Sequence, residues 1–294
     1  MAILPRSSMQ GLIILQKHFV KFNLIADGYS VERGVMKFIF PEGAFFANPS
    51  SPYGVYMFED RQPLWKLDER EAIVLLGCTP PPADYFSYRS YLFSTFNGLR
   101  QEIVFASLGD SINNLAVNTT GLNIGNPFGR TTVVTTTADV NTDRAVRKAF
   151  AAAGVQATAI NTDIIPSGLV QLGRGAMTDT FTMLHRVAIF QNPEEGQAYI
   201  DTEWPVIRIT PPLQQRSLPF STPPLRERGT GITENALSST FSAFVDQVDR
   251  TVQRELRLQR NERYTVSRNR MNVVPLEGFE CIEELTNGLG DNRY

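Results

Sequence analysis

Three residues could together carry out nucleophilic catalysis: Cys78, His185 and Asp110. Cys78 ends the apolar run "EAIVLLGC" and precedes a proline-rich loop, and loops that follow strands often carry active-site residues. A thiolate attacks an acyl carbon when a neighbouring imidazole takes its proton and a third polar group orients that imidazole. We therefore predict hydrolysis or acyl transfer, with Cys78 as nucleophile, His185 as base and Asp110 as the orienting group. Asn113 is the alternative to Asp110.

Structural roles compete with these catalytic ones. Free cysteine is among the most buried residue types, so Cys78 is also interpreted as a core thiol, or as half of a disulfide with Cys281. The local contexts of known cysteine nucleophiles are missing around it. His185 lies in "TFTMLHRVAIF", where every second residue on its face is apolar, and this pattern favours a core histidine.

A polar-aromatic group is the best candidate for binding a substrate. In "ADYFSYRSY" the rings could stack on an organic molecule while Arg89 holds a carboxylate or phosphate, and amides in "SLGDSINN" could add hydrogen bonds. The predicted binding residues are Tyr85, Tyr88, Arg89, Asn113 and Asn114. The alternatives are an aromatic packing cluster in the first stretch and ordinary turn chemistry in the second.

Several classes of function lack a motif in this chain. The stretch "GLNIGNPFG" has neither the spacing nor the lysine of a phosphate-binding loop, and no GxSxG occurs. Two histidines without a ligand pattern predict no metal site, and we expect no cofactor. A formal net charge of -2 predicts no nucleic-acid partner, and the apolar runs are too short for a membrane span, so a soluble protein is expected. The sequence does not indicate a cellular compartment.

The fold class predicted from element patterns is α+β, with a β-rich region over residues 1–126 and a ferredoxin-like βαββαβ sandwich over residues 127–212. Two successive strand-helix-strand patterns support the sandwich. The first comprises "TTVVTTT" (131–137), "NTDRAVRKAFAAAG" (141–154) and "VQATAIN" (155–161), and the second "DTFTMLHRVAIF" (179–190), "NPEEGQAYID" (192–201) and "PVIRIT" (205–210). In such a sandwich both helices cover the same face of one sheet.

Residues 213–294 are predicted to form a proline-rich arm, a long amphipathic helix and a tail. Residues 210–228 carry five prolines, and an apolar stripe at helical spacing follows from Leu237 to Leu256. Such an arm and helix could dock on a neighbouring subunit through residues 211–260, giving a homo-oligomer. The sequence therefore predicts an enzyme that acts on a small organic molecule, and the alternative is a structural or self-assembling protein.

Overall fold

Ten strands within the described part of the chain form one mixed sheet in which β-structure dominates. The structure is a computed structural model, and it describes residues 18, 20–39, 53–58, 62–121, 126–223, 243, 246, 247 and 250. The chain divides into two units, Met1–Pro223 and Pro224–Tyr294, and every element below belongs to the first. Four residues of the predicted long helix are described, 243, 246, 247 and 250, and each is helical, whereas the rest lies outside the described residues.

The strands are named in chain order. They are β1 Ser30–Ile39, β2 Tyr53–Met57, β3 Ala72–Cys78, β4 Ala83–Phe96, β5 Gln101–Ser107, β6 Ile112–Asn113, β7 Thr131–Thr137, β8 Ile160–Ile164, β9 Thr180–Phe190 and β10 Trp204–Thr210. Their order across the sheet is β5-β4-β9-β2-β1-β10-β3-β7-β8, and β6 pairs separately with β4. Only β7 and β8 pair in parallel among these strands.

The helices are short, and residues at their starts explain where they begin. Helix α1 (Val140–Ala152) starts at Asp139, whose carboxylate accepts the backbone N–H of Thr142. Helix α2 (Pro193–Ile200) starts at Asn192, with proline in its first position. Residues 20–26 are also helical, and a 3-10 turn, Ala157–Ala159, precedes β8.

The predicted ferredoxin-like sandwich is wrong, although most of its elements exist. The sequence places β7, α1, β9, α2 and β10 within a few residues of their observed bounds, whereas β8 begins at Ile160 instead of residue 155. Strands β9 and β10 are separated by β2 and β1, and three antiparallel pairings in that series make them antiparallel to each other. A ferredoxin-like unit requires parallel strands on either side of its helix.

The two helices also cover opposite faces of the sheet. Phe150 of α1 lies beside Val74 and Ile207, which pair directly across β3 and β10. Tyr199 of α2 packs on the rings of Phe38 and His185, which the registers place on the other face. We call the face that carries His185 the inner face.

The inner face can be followed from strand to strand, because directly paired residues, and residues two apart on one strand, point to the same side. It carries Tyr88 and Ser90 of β4, His185 of β9, Gly54 and Tyr56 of β2, Phe38 of β1, Val206 of β10, Leu75 of β3, Thr136 of β7 and Asp163 of β8. The sheet curls toward this face until Ser90 donates a hydrogen bond to Asp163. Six strands lie between β4 and β8 in the sheet order, so this contact joins its two sides.

The first part of the predicted proline-rich arm packs on its own unit. Asp139 accepts the backbone N–H of Leu218 at 2.5 Å, and Gln215 donates to the Thr142 hydroxyl at 2.8 Å. Phe220 adds a backbone hydrogen bond to Ala138. Residues 215–220 are thereby fixed at the junction of β7 and α1. Residues 224–242 and 251–260 of the predicted docking segment lie outside the described part of the chain.

Candidate functional site

His185 is fully buried at the centre of an aromatic group on the inner face. Its ring stacks on Tyr88 at 4.2 Å between centroids, and Phe38 and Phe86 meet it edge-on. Nδ1 lies 3.1 Å from the carbonyl oxygen of Ser87, and Nε2 lies 3.0 Å from the hydroxyl of Tyr199. Both ring nitrogens therefore have partners within the fold.

The electrostatic setting keeps this imidazole neutral. Burial penalises the imidazolium and lowers the pKa of His185 to about 3, and the hydrogen bond to Ser87 opposes that shift only in part. A carbonyl can only accept, so Nδ1 carries the ring proton, while Nε2 and the Cys78 carbonyl compete for the single proton of the Tyr199 hydroxyl. A base that accepts a proton only near pH 3, and whose lone pair already faces a tyrosine, is poorly suited to activating a thiol at neutral pH.

Cys78 ends β3 next to this group. It is 6% exposed, and its backbone carbonyl accepts the Tyr199 hydroxyl at 2.9 Å. Tyr199 thus links His185 to the main chain of Cys78. The alternative of a disulfide involves Cys281, which lies outside the described residues. The catalytic roles of Cys78, His185 and Asp110 stay a prediction, and the hydrogen bonds of His185 do not favour them.

The two stretches predicted to bind substrate, residues 83–91 and 107–114, contact each other. Arg89 Nε donates to the carbonyl of Gly109 at 2.9 Å, which brings it beside half-buried Asp110. Strand β6 pairs Asn113 with Ser87, and the Asn114 N–H donates to Phe86. Asn113 Oδ1 accepts the N–H of Leu115, which is turn chemistry.

The predicted aromatic residues do not share one pocket. Tyr88 is buried on the inner face, where its ring stacks on His185. Tyr85 and Arg89 point to the opposite, outer face, because β4 alternates, and both are partly exposed. The binding residues are therefore divided between two faces of the same strand.

A polar group that sequence reasoning missed lies where β4 meets β8. We call it the seam site, and its members are Tyr56, Ser90, Thr136 and Asp163. Asp163 Oδ2 accepts hydrogen bonds from the hydroxyl of Ser90 and, at 3.0 Å, from that of Thr136. Both hydroxyl residues are buried, whereas Asp163 is partly exposed. The carboxylate thus contacts two buried hydroxyls, although the residue as a whole is partly exposed.

Burial dominates the electrostatics of the seam site. It raises the pKa of Asp163, and the hydrogen bonds from Ser90 and Thr136 and the charge of Arg89 offset only part of that rise. The pKa of Tyr56 is raised well above its usual value, first by burial and then by the neighbouring Asp163 carboxylate. The buried Tyr56 hydroxyl makes no hydrogen bond of ordinary length and angle among the described residues, but Thr136 lies close enough to lower its pKa in part.

No protein-family model, curated protein or solved structure matches the chain. Within the described ranges, no cluster of three histidine, cysteine, aspartate or glutamate side chains could hold a metal ion. The same ranges hold no helix long and apolar enough to cross a membrane. The geometry of the seam site is therefore the observation that bears on the function of this protein.

The seam site has the groups that proton transfer requires. A carboxyl group with a raised pKa keeps its proton to a higher pH than an ordinary aspartic acid and can donate it to a bound molecule. The Tyr56 hydroxyl, beside Thr136 and Asp163, can donate a hydrogen bond to an oxygen atom of that molecule. A partial sequence signal for the site did exist: Asn161 and Asp163 place polar groups at alternate positions of β8, on one face of the strand.

Proposed function

We propose that this protein is an enzyme that binds a small polar organic molecule at the seam site and exchanges a proton with it through Asp163. The observation that carries the proposal is a carboxylate that accepts hydrogen bonds from two buried hydroxyls and lies beside a buried tyrosine hydroxyl, in a residue that is itself partly exposed. No ion pair among the described residues includes Asp163. Asp139, by contrast, accepts a backbone N–H at the start of α1, which is a structural role.

The neighbouring groups support this role. Ser90 and Thr136 donate to the same carboxylate oxygen, Oδ2, so Oδ1 is the oxygen left for a ligand or a transferred proton. Arg89, on the outer face of β4, lies near enough for its charge to lower the pKa of Asp163 in part. Acid-base chemistry at a carboxyl group is therefore supported better than attack by Cys78.

Asp163→Asn tests the proposal. Polar organic fragments are screened by ligand-observed NMR against the wild type and this variant, and Asp84→Asn is the control because Asp84 is exposed on β4. We expect fragments whose binding requires Asp163, survives Asp84→Asn and changes with pH as the carboxyl group titrates. Circular dichroism establishes that the variants are folded. Identical fragment binding by all three proteins, or no binding to any, would refute the proposal.

The other function predicted from sequence was a self-assembling protein that docks through residues 211–260. Residues 215–220 are engaged within their own unit, so those residues do not favour it. The amphipathic stripe between Leu237 and Leu256 remains a prediction.

A further inference from the structure

The outer edge of the β4-β5 hairpin carries a short sequence that is self-complementary when two copies run antiparallel. Residues 99–103, which we call the edge run, read "LRQEI": apolar, basic, amide, acidic, apolar. Strand β5 ends the sheet order, and no other described strand pairs with its outer side. Leu99 is 91% exposed and Ile103 67% exposed, and Arg100, Gln101 and Glu102 are also exposed. Exposed sheet edges with apolar side chains are sites of strand addition.

The backbone of the edge run presents hydrogen-bonding groups outward at its centre. The hairpin closes with a bond from the Asn97 N–H to the Arg100 carbonyl, and Gln101 then pairs with Phe96 and Glu102 with Thr95. In an antiparallel ladder, hydrogen-bonded and non-hydrogen-bonded pairs alternate. Arg100 and Glu102 therefore bond toward β4, whereas the N–H and C=O of Gln101 and Ile103 point away from it.

A second copy of the chain fits this edge when the two runs pair antiparallel about Gln101. Gln101 then lies opposite Gln101 of the other copy, and the pair exchanges two backbone hydrogen bonds. Arg100 lies opposite Glu102 at both ends of that central pair. Leu99, in the turn that precedes β5, then lies at the end of the pairing beside Ile103 of the other copy, so the contact brings the two exposed apolar side chains together. Other registers lose these matches, and pairing about Arg100 or Glu102 places like charges opposite each other.

The surroundings hold the edge run in place and limit its length. The Gln101 side chain donates to the carbonyls of Ala176 and Thr178 at 3.0 Å and accepts from Ser94 at 3.0 Å, so the centre of the run is anchored. Phe105 has a positive φ of 50°, and the register of β4 and β5 shifts beside it. This bulge interrupts the regular edge after residue 103, so the segment that can pair with a second copy ends with the edge run.

We propose that this protein forms a two-fold symmetric homodimer through antiparallel pairing of the edge runs of two copies. Two-fold interfaces are self-complementary, and the alternation of Leu99, Arg100, Glu102 and Ile103 about Gln101 satisfies that condition. The pairing continues the sheet of one copy into that of the other. It is independent of the seam site, so its failure would leave the proposed enzyme function intact.

Charge exchange gives the sharpest test, measured by sedimentation velocity on the full chain over a wide concentration range. The wild type is expected to show a monomer-dimer equilibrium that weakens as salt is added. Arg100→Glu places two pairs of like charges at the interface, and Glu102→Arg does the same with the opposite sign. Each variant alone is expected to lose at least tenfold in dimer affinity. An equimolar mixture of the two restores both charge pairs and is expected to form a heterodimer.

Glu69→Arg is the matched control for Glu102→Arg, because it makes the same charge change at an exposed position away from the edge run. This control should dimerise like the wild type. A monomeric wild type at every concentration would overturn the proposal. Self-association that both edge variants retain would also overturn it, and would assign the contact to another surface such as residues 211–260. Failure of the mixed variants to associate, when each is folded by circular dichroism, would refute the register about Gln101.

Discussion

Acid is expected to destabilise this protein through His185. Its pKa is lowered to about 3 in the folded state, chiefly by burial, while the ordinary value is 6.5. The unfolded chain therefore binds a proton that the folded chain does not bind between these two pH values. A group of this kind contributes stability that is present above pH 6.5 and is lost as the pH falls toward 3.

The expected magnitude follows from the two pKa values. At pH 7 the unfolded imidazole is mostly neutral, so proton binding hardly affects the equilibrium. At pH 5 it is almost fully protonated, and the unfolded state gains about 2 kcal/mol relative to the folded state. Below pH 5 the loss continues at about 1.4 kcal/mol per pH unit until the folded-state pKa is reached.

The assay is urea unfolding at pH 7, 6 and 5, followed by tryptophan fluorescence. Both tryptophans, Trp65 and Trp204, are buried in the unit Met1–Pro223, so their emission reports on the unit that contains His185. His185→Gln removes the titrating group, and the stability difference between wild type and this variant should shrink by about 2 kcal/mol from pH 7 to pH 5. His18→Gln, at an exposed position, should follow the wild type.

A difference that is constant between pH 7 and pH 5 would refute the conclusion that His185 is held neutral. A second measurement covers the case in which His185→Gln does not fold. The imidazole carbon resonances of His185 in the wild type should stay at their neutral positions down to pH 5. Titration of those resonances near pH 6.5 would contradict the same conclusion.

Two further predictions concern packing and charge. Glu71 is buried, and its pKa is lowered because hydrogen bonds from Arg174, Thr210 and the Asp68 N–H outweigh the effect of burial. Arg174→Ala should cost about 2 kcal/mol in urea unfolding, less than for a fully buried pair because Arg174 is 47% exposed, and an unchanged midpoint would contradict this. Gly196→Ala should cost about 1–3 kcal/mol, since its Cβ would lie 2.4 Å from the Phe190 ring, and equal stability would disprove that contact.

The sequence predicted local elements well and their arrangement poorly. Periodicity and helix-start residues located β7, α1, β9, α2 and β10, because those signals act over a few residues. Sheet order depends on pairings such as Ser30 with Thr210, which no local pattern encodes. Two successive strand-helix-strand patterns therefore predicted a local sandwich. Strands β7 and β8 do pair with each other, but β9 and β10 pair with strands from the first third of the chain.

For the candidate site, too, the sequence predicted local features but not which distant residues come together. Alternation in β9 correctly favoured a buried His185, since its neighbours on that face are apolar. Nothing near Asp163 in the sequence indicates Ser90, which lies on a strand 73 residues earlier and meets it only because the sheet curls. Tyr56 is likewise distant along the chain. A site assembled from four separate strands leaves no single motif in the sequence.

The position of β10 has a consequence for the synthesis of this protein on the ribosome. Strands β1 and β3 emerge early, yet each has β10 as a neighbour on one side, and β10 is the last strand of the sheet to be translated. Until residues 204–210 leave the exit tunnel, two nascent strands have unfilled hydrogen-bonding sides. The sheet is therefore completed late and vectorially, and a nascent chain arrested before Trp204 should be a strong client of ribosome-associated chaperones.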